Sequence, residues 1–259
     1  MKTLLLAMTA SIAAALASSA AEKDSRCYEL RTYRTAPGKM EGLHKRFREH
    51  TLQLFARHGI TNVGYWERLD KDGQPANQLT FLLSYPDRAA REKSWKSFLA
   101  DPEWQAAAKE SEAAGPLLVK DGITNIFLKL TDYSPAVAPG VASETRTFEL
   151  RIYKCEPGRL PNLHERFRDH TMTLFSKHGM TNFGYWTPMD PARGADDTLI
   201  YILAHKSREA AAASFKAFRE DPDWVAVRKA SEEKAGGSLT VKDGVTSIFM
   251  TPTDYSPTK

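Results

Sequence analysis

The chain has 259 residues, of which 42% are hydrophobic and 26% are charged. This composition predicts a globular protein with a sizeable core and argues against intrinsic disorder. The formal net charge is only +4, and no run of five or more Lys and Arg residues carries the interleaved aromatic side chains of a nucleic-acid groove. A nucleic-acid partner is therefore not expected.

Residues 1–21 have the pattern of a signal peptide. Lys2 precedes an apolar stretch of roughly a dozen residues, which is too short for a stable membrane span. Small residues follow it, so we expect cleavage after Ala20 or Ala21. The sequence thus predicts a periplasmic or secreted protein with no integral membrane segment after signal removal.

The residues that follow alternate between strand and helix patterns. Strands carry β-favouring side chains in alternation, whereas helices show apolar positions at helical spacing. In chain order we predict a strand from Cys27 to Arg34, a long amphipathic helix over 39–58, strands over 61–68 and 79–85 separated by a loop, a helix starting at Pro86, a short helix after Asp101-Pro102, and a strand over 123–130.

The whole pattern then recurs with an offset of 120 residues. Pairing Tyr28 with Phe148 gives 23 identities in the 43 pairs that end at Asp70 and Asp190, which chance composition does not produce. Residues 135–146 between the copies are rich in Pro, Ala and Gly and predict a linker. We therefore divide the chain into a first domain at 27–134 and a second at 147–257.

The order strand, helix, strand, strand, helix, strand predicts an α+β fold of two tandem ferredoxin-like (βαββαβ) domains. Each domain would have a four-stranded antiparallel sheet with helices on one face and a bare second face. Packing sheet to sheet as one α/β-barrel would cover both bare faces. The chain would then be an intramolecular pseudo-dimer, and a higher oligomer stays open.

Strand alternation places Glu29, Arg31 and Tyr33 on one face of the first strand and Leu30 on the other. With Leu30 assigned to the helix side, the polar three are predicted to face the space between the sheets, together with Glu149, Arg151 and Tyr153 of the second copy. They could form internal Glu-Arg ion pairs that fix how the halves dock, or a polar pocket for a small anionic or aromatic ligand. Both interpretations stay open.

Other repeated residues complete the set of ligand-binding candidates. Trp66 and Trp186 follow identical Gly-Tyr pairs and are core residues by default, with stacking on a ligand as the alternative. His58 and His178 end the long helices, where packing and the helix dipole already account for them. The histidine spacing predicts no metal site, and no cofactor is predicted. Haem is a weaker alternative because it needs a histidine that points into the barrel. The positions of the histidines on the helical wheel do not support one.

Cys27 and Cys155 would meet an oxidising compartment after export, where a disulfide can form. Neither aligns with a cysteine in the other copy. Whether the two side chains meet is left open by the sequence.

Several motifs in a fixed order resemble the NIPSNAP family. In the first copy they are YELRTY, HG, TNVGYW, Arg88 and DPEW, and in the second FELRIY, HG, TNFGYW, Arg208 and DPDW. The resemblance implies a ferredoxin-like domain of the dimeric α/β-barrel kind, here supplied in tandem by one chain. It brings no agreed catalytic residues. Eukaryotic members are linked to mitochondria, and because this chain carries a predicted export signal, we do not expect their partners here.

Two functions follow from these observations. The first is an exported protein that binds a small molecule in a polar cavity between the two sheets, by a chemistry that the sequence does not define. The alternative is a non-catalytic protein-interaction or assembly module in which the matched residues are structural. The sequence assigns no enzymatic activity.

Overall fold

A computed structural model describes residues 24–137, 140 and 146–259. The predicted signal peptide and most of the predicted linker lie outside these residues. Within the described part of the chain, every helix is too short or too polar to cross a bilayer.

The first repeat follows the predicted element order. Its long helix is continuous but contains a π-helical turn between two α-helical parts, α1 and α2. The elements are β1 (Cys27–Thr35), α1 (Met40–Arg46), the π-helical turn (Phe47–Thr51), α2 (Leu52–Arg57), β2 (Thr61–Leu69), β3 (Pro75–Tyr85), α3 (Arg88–Leu99), α4 (Pro102–Ser111) and β4 (Leu118–Leu130).

The second repeat has the same order with one added 3₁₀ turn. That turn, Pro191–Arg193, lies between its second and third strands. The elements are β5 (Thr147–Cys155), α5 (Leu160–Arg166), a π-helical turn (Phe167–Thr171), α6 (Met172–Lys177), β6 (Thr181–Pro188), β7 (Thr198–His205), α7 (Arg208–Glu220), α8 (Pro222–Lys234) and β8 (Thr240–Pro252).

Several element boundaries differ from the prediction. The helix expected to start at Pro86 begins at Arg88, because the Asp87 carboxylate caps it by accepting the Ala90 backbone N–H at 2.7 Å. β3 begins at Pro75, inside the predicted loop, and β4 begins five residues before the predicted Ile123. Polar residues at these strand ends concealed the strands from a hydrophobic pattern.

Eight antiparallel strands close into one barrel in the order β1-β3-β2-β8-β5-β7-β6-β4. The two four-stranded sheets join edge to edge at two seams. At one seam β2 pairs with β8, with Trp66 opposite Pro252, and at the other β4 pairs with β6, with Leu130 opposite Trp186. Closure leaves no free sheet edge. The predicted tandem βαββαβ barrel is confirmed.

The segment that ends each repeat crosses to the other repeat. Tyr133 contacts the Tyr185 ring and donates to or accepts from His164 at 2.7 Å, whereas Tyr255 packs on Tyr65 and lies 2.9 Å from His44 Nδ1. These crossings explain why the sequence TDYSP occurs at the end of both copies. The two repeats are therefore mutually dependent parts of one structure.

The barrel interior is an apolar core built from both repeats. The Trp66 ring contacts Phe148, and the Trp186 ring contacts Tyr28, each across the boundary between repeats. Both tryptophans are fully buried. The core consists of Tyr28, Leu30, Val63, Trp66, Leu82, Leu128, Val137, Phe148, Leu150, Trp186, Ile200, Ile202, Ala204 and Met250.

The repeated Gly-Tyr-Trp triplet has a steric cause inside this core. A Cβ atom on Gly64 would lie 2.3 Å from Cη2 of Trp66, and the distance from Gly184 to Trp186 is the same. Alternate residues of a strand share a face, so the indole folds back over the glycine two residues before it. The glycine thus leaves room for a side chain of its own strand.

The predicted orientation of the first strand is wrong. Leu30 belongs to the barrel interior, whereas Glu29, Arg31 and Tyr33 lie on the outer face, beneath the helices. β5 has the same orientation, with Leu150 inside. The polar groups are enclosed, but between sheet and helices. The polar cavity predicted between the two sheets is replaced by apolar packing.

The error has a physical reason. Five consecutive residues of β1, from Cys27 to Arg31, are buried, so both faces of the strand are covered. Alternation separates the two faces of a strand but cannot say which one meets the helices when neither meets water. The large rings of both repeats fill the interior, and Leu30 packs among them.

The two cysteines are separate buried thiols and do not form a disulfide. Burial raises the pKa of the Cys27 thiol to about 11 and that of Cys155 to about 12. Neither thiol is therefore poised to react as a thiolate at neutral pH.

Candidate functional site

A buried carboxylate organises the outer face of the first repeat. Glu29 is fully buried, and its two oxygens accept hydrogen bonds from four side chains. The donors are Arg31 Nη1 at 2.6 Å, Asn125 Nδ2 at 2.8 Å, Tyr85 Oη at 2.9 Å, and Arg91 through Nη2 at 2.9 Å and Nε at 3.1 Å. Burial opposes ionisation of Glu29, but the two guanidinium groups outweigh it and lower the carboxyl pKa.

This network positions Arg31 and Trp95 side by side. Trp95 Nε1 donates to Tyr85 Oη at 2.7 Å, and Tyr85 Oη donates in turn to Glu29. The Arg31 guanidinium carbon lies 4.3 Å from the Trp95 ring centroid, a cation–π contact. Arg31 Nη2 also donates to Tyr33 Oη at 3.2 Å, while its Nε is buried without an acceptor.

Above these residues lies a cavity of about 590 Å³ between the outer face of the sheet and the helices of the first repeat. Arg31 and Tyr33 line its sheet side, and aromatic rings from the helices line the rest. A cavity of this size with apolar walls and a few polar groups is typical of small-molecule sites. The aromatic lining consists of Tyr33, Phe47, Phe55, Trp95, Phe98 and Trp104.

Arg46, the last residue of α1 before the π-helical turn, is a second arginine that lines the cavity. Leu52 N–H bonds to the Phe47 carbonyl five residues earlier, and Thr51 Oγ1 donates to the Arg46 carbonyl at 3.1 Å. The Arg46 side chain is buried against Trp104 and pairs with Glu112, its Nη1 lying 3.0 Å from Oε1. π-helical turns of this kind often occur at functional sites.

Positive charge exceeds negative charge around the cavity. Four cationic side chains line it against two carboxylates, and the carboxylate of Glu29 lies beneath. Arg31, Arg46 and Arg91 all have carboxylate partners, so the excess is small. The cations are Arg31, Arg46, Arg91 and Lys96, and the lining carboxylates are Glu92 and Glu112. The site can hold a ligand with one anionic group against aromatic walls.

The second repeat keeps the ion pair but changes its neighbours. Glu149 pairs with Arg151, whose Nη2 donates to Tyr153 Oη at 3.1 Å. His205 and Ser247 complete the carboxylate's shell, at 3.0 Å and 2.5 Å. Arg151 Nε donates to Tyr201 Oη at 2.9 Å, whereas Phe81 occupies the matching position in the first repeat.

Four of the predicted candidates lie outside the cavity and outside both Glu-Arg networks. Trp66 and Trp186 belong to the barrel core, and their Nε1 atoms are buried without acceptors. His58 bonds to Asp101 at 2.7 Å, where Asp101 caps α4, and His178 bonds to Asp221 at 2.6 Å in the same way at α8. These histidines tie the end of one helix to the start of another, which favours the structural interpretation.

The potential metal and haem ligands of the described residues are dispersed over the fold. Among residues 24–137, 140 and 146–259, no three His, Cys, Asp or Glu side chains come close enough to hold a metal ion. Six of the seven histidines lie on or next to the helices outside the barrel, and His205 shares the helix side of the sheet with Glu149. Within the described chain, a haem inside the barrel would find no histidine ligand.

Several residues of the cavity were not singled out from the sequence. Arg46 and Trp104 recur as Arg166 and Trp224, so the repeat itself held the signal. Arg46 lies next to Phe47 on a buried helical face, where a charged side chain is costly unless it is paired. Arg91 and Trp95 have no identical counterpart, and only the fold brings them to Glu29.

The sequence profile of the NIPSNAP family matches residues 28–135 and 148–257. The chain belongs to the NIPSNAP family. The two matched segments correspond to the two halves of the barrel, so this NIPSNAP protein carries both halves in one chain. No curated protein shows significant similarity to it.

Solved structures share the fold of this NIPSNAP protein. A candidate monooxygenase from Lactobacillus acidophilus has 11% identity over 88% of this chain and 94% of its own, with a TM-score of 0.55. Another from Fusobacterium nucleatum has 8% identity over 88% and 92%, with a TM-score of 0.56. A NIPSNAP family protein from Agrobacterium tumefaciens is 26% identical over 42% of this chain and 97% of its own, with a TM-score of 0.36. At these identities the first two show the fold alone.

Proposed function

We propose that the cavity of the first repeat binds a small molecule with an aromatic body and one anionic group. The observation that carries the proposal is the place of Arg31, whose buried Nε lacks an acceptor while its guanidinium borders a cavity walled by aromatic rings. An anion of the ligand would pair with the excess positive charge, and its body would stack on Trp95 or Trp104.

The buried carboxylate has a supporting role in this proposal. Both oxygens of Glu29 already accept hydrogen bonds, and Glu29 does not line the cavity. Its role is to hold Arg31 and Arg91 charged and in place. We therefore propose binding without assigning a chemical reaction, because the two carboxylates that line the cavity, Glu92 and Glu112, pair with Arg91 and Arg46.

Calorimetric titration with 2-naphthoate tests the proposal, with 2-naphthalenemethanol as a neutral probe of similar shape. We expect one naphthoate to bind per chain and the alcohol to bind more weakly. Ala108→Phe places a ring in the cavity and should weaken naphthoate binding by at least about tenfold. Ala106→Phe is the matched control, because Ala106 is exposed on the same helix and does not line the cavity.

Failure of naphthoate to bind, or equal binding by the Ala108→Phe variant, would overturn the proposal. Either result would favour the alternative function, a protein-interaction or assembly module. Circular dichroism of each variant establishes that a loss of binding is not a loss of fold.

We also propose that the mature protein is exported. The support is the N-terminal pattern alone, a lysine before a short apolar stretch and small residues at 18–21. Expression of the full chain in a Gram-negative host, followed by fractionation and intact mass measurement, should give a periplasmic protein that begins at Ala21 or Glu22. An uncleaved chain in the cytoplasm would contradict export.

A further inference from the structure

The second repeat contains a buried guanidinium that has no carboxylate partner. Arg166, at the end of α5, is 6% exposed. Its Nη1 donates one long hydrogen bond of 3.3 Å to Ser231 Oγ, and its Nε is buried without an acceptor. No ion pair within the described residues includes it. Its guanidinium carbon also lies 5.1 Å from the Trp224 ring centroid, a cation–π contact.

The arginine at the matching position of the first repeat has a carboxylate partner. Arg46 occupies the matching position and pairs with Glu112 at 3.0 Å. Glu232 is the counterpart of Glu112, but its Oε1 accepts from Arg228 Nε at 3.1 Å instead. The competitor Arg228 stands where the first repeat has Ala108. One difference between the copies thus draws the carboxylate away from Arg166.

An unpaired cation in this position is unfavourable unless an anion joins it. Burial lowers the pKa of Arg166, yet a guanidinium stays protonated at any physiological pH. A buried charge requires a counter-ion and hydrogen-bond acceptors to offset its lost hydration. An acceptor supplied from outside the chain would offset this cost.

Arg166 borders a cleft that has room for such an anion. The cleft lies between α5 and α8 and has a volume of about 380 Å³. Its apolar wall consists of Ala226, Val227 and Ala230. At the rim Lys234 pairs with Glu165 at 2.6 Å, so these two charges cancel. Arg166 and His170 are the remaining basic groups of the lining.

The matching cleft of the first repeat differs in size and charge. Its volume is about 180 Å³, half that of the second. It has Glu110 in the place of Ala230, and Glu49 also lines it. The larger, less acidic cleft occurs where the guanidinium is unpaired.

We propose that the cleft between α5 and α8 is a second ligand site, specific for a monocarboxylate with a short apolar body. The carboxylate pairs with Arg166, because a guanidinium matches the geometry of a carboxylate. The apolar body lies against the alanines and the valine of α8. This site stands apart from the first-repeat cavity and does not depend on the function proposed for it.

Calorimetry or saturation-transfer NMR of the mature protein with sodium butyrate tests the site. Arg228→Ala is the decisive variant, because Arg228 does not line the cleft. Its removal frees Glu232 to pair with Arg166, as Glu112 pairs with Arg46, and should weaken butyrate binding by at least about tenfold. Lys229→Ala removes the same charge from the adjacent exposed position and should leave binding within about twofold.

A second variant guards against misfolding. Ala230 is exposed, so Ala230→Glu should fold, and it installs the carboxylate that the first repeat has at Glu110. It should abolish butyrate binding. Ala108→Phe should leave butyrate binding unchanged, which separates this site from the first-repeat cavity.

Three results would overturn the inference. Butyrate that fails to bind the wild-type protein removes the site. If butyrate binds the Arg228→Ala and Ala230→Glu variants with the same affinity as the wild-type protein, Arg166 is not part of the site. If inorganic phosphate binds as tightly as butyrate, the apolar wall contributes nothing to affinity. The ligand would then not be a monocarboxylate with an apolar body.

Discussion

Both repeats of this NIPSNAP protein carry the Gly-Tyr-Trp triplet inside the barrel and a Glu-Arg pair beneath their helices, but the neighbours of that pair differ. Inside, each repeat supplies the same Gly-Tyr-Trp triplet, and each tryptophan meets a ring of the other repeat. Beneath the helices, the shared Glu-Arg pair of β1 and β5 has different neighbours. Tyr85, Arg91 and Asn125 surround Glu29, whereas His205 and Ser247 complete the shell of Glu149.

The buried arginines show one place where the two repeats diverge. Arg46 and Arg166 each make their polar contacts within their own repeat, so the surroundings of one can change without altering those of the other. We infer that the halves share a scaffold and differ in ligand, with the aromatic cavity in one and the carboxylate cleft in the other.

The largest expected effect comes from neutralising the two buried carboxylates. Glu29→Gln leaves Arg31 and Arg91 without their common counter-charge and should lower the free energy of unfolding by about 3–5 kcal/mol. Glu149→Gln removes the partner of one arginine and should cost less, about 2–3 kcal/mol. Urea unfolding at pH 7 measures both. Equal losses would contradict the asymmetry between the repeats.

Substitutions in the Gly-Tyr-Trp triplet should lower the free energy of unfolding equally in both repeats. Gly64→Ala and Gly184→Ala each force a Cβ against an indole and should destabilise the protein by about 1–3 kcal/mol, with similar values for the two. Gly140→Ala is the control, since a Cβ there meets nothing within 4 Å. A loss at only one of the two glycines would show that the inner layers are not equivalent.

Acidification should destabilise the protein through His164 in the second repeat. Burial lowers the pKa of His164 to about 4, and Arg168 adds to the shift. The unfolded chain binds the proton below about pH 6.5, while the folded protein resists it to about pH 4, so stability falls as the pH drops through this window. His164→Asn should remove part of that loss, on the order of 1 kcal/mol after solvent screening. Unfolding curves at pH 7 and pH 5 measure it, and an unchanged difference between them would refute the buried neutral histidine.

The smallest effect is expected at an exposed ion pair near the start of α4. Arg57 lies 2.7 Å from Glu103, and both side chains are about half exposed. Exposed pairs of this kind contribute little to stability. Arg57→Ala should therefore leave the melting temperature unchanged within error. A clear drop would mean that this charge helps to anchor α4.

The sequence predicted the fold because the repeat and the strand-helix order constrain each other. Two βαββαβ units with bare sheet faces have few ways to bury them, and the observed barrel is one of these. The Glu-Arg pair was also predictable, since residues two apart on a strand share a face. Arg31 and Glu29 meet at 2.6 Å as that spacing suggests.

The location of the site could not be predicted in the same way. Leu30 and Arg31 are both buried, so burial gave no orientation for β1. The cavity also depends on Trp95 and Trp104, which α3 and α4 bring over the sheet from distant parts of the chain. The unpaired state of Arg166 depends on a competition between two arginines for Glu232, which only coordinates reveal.

Crystals soaked with 6-bromo-2-naphthoate test the central claim most directly, because the anomalous signal of bromine locates the ligand. The account predicts one strong peak in the first repeat, between β1 and helices α3 and α4, with the carboxylate near Arg31 or Arg46. A peak inside the barrel beside Trp66 or Trp186, or no peak in a crystal soaked to saturation, would contradict it.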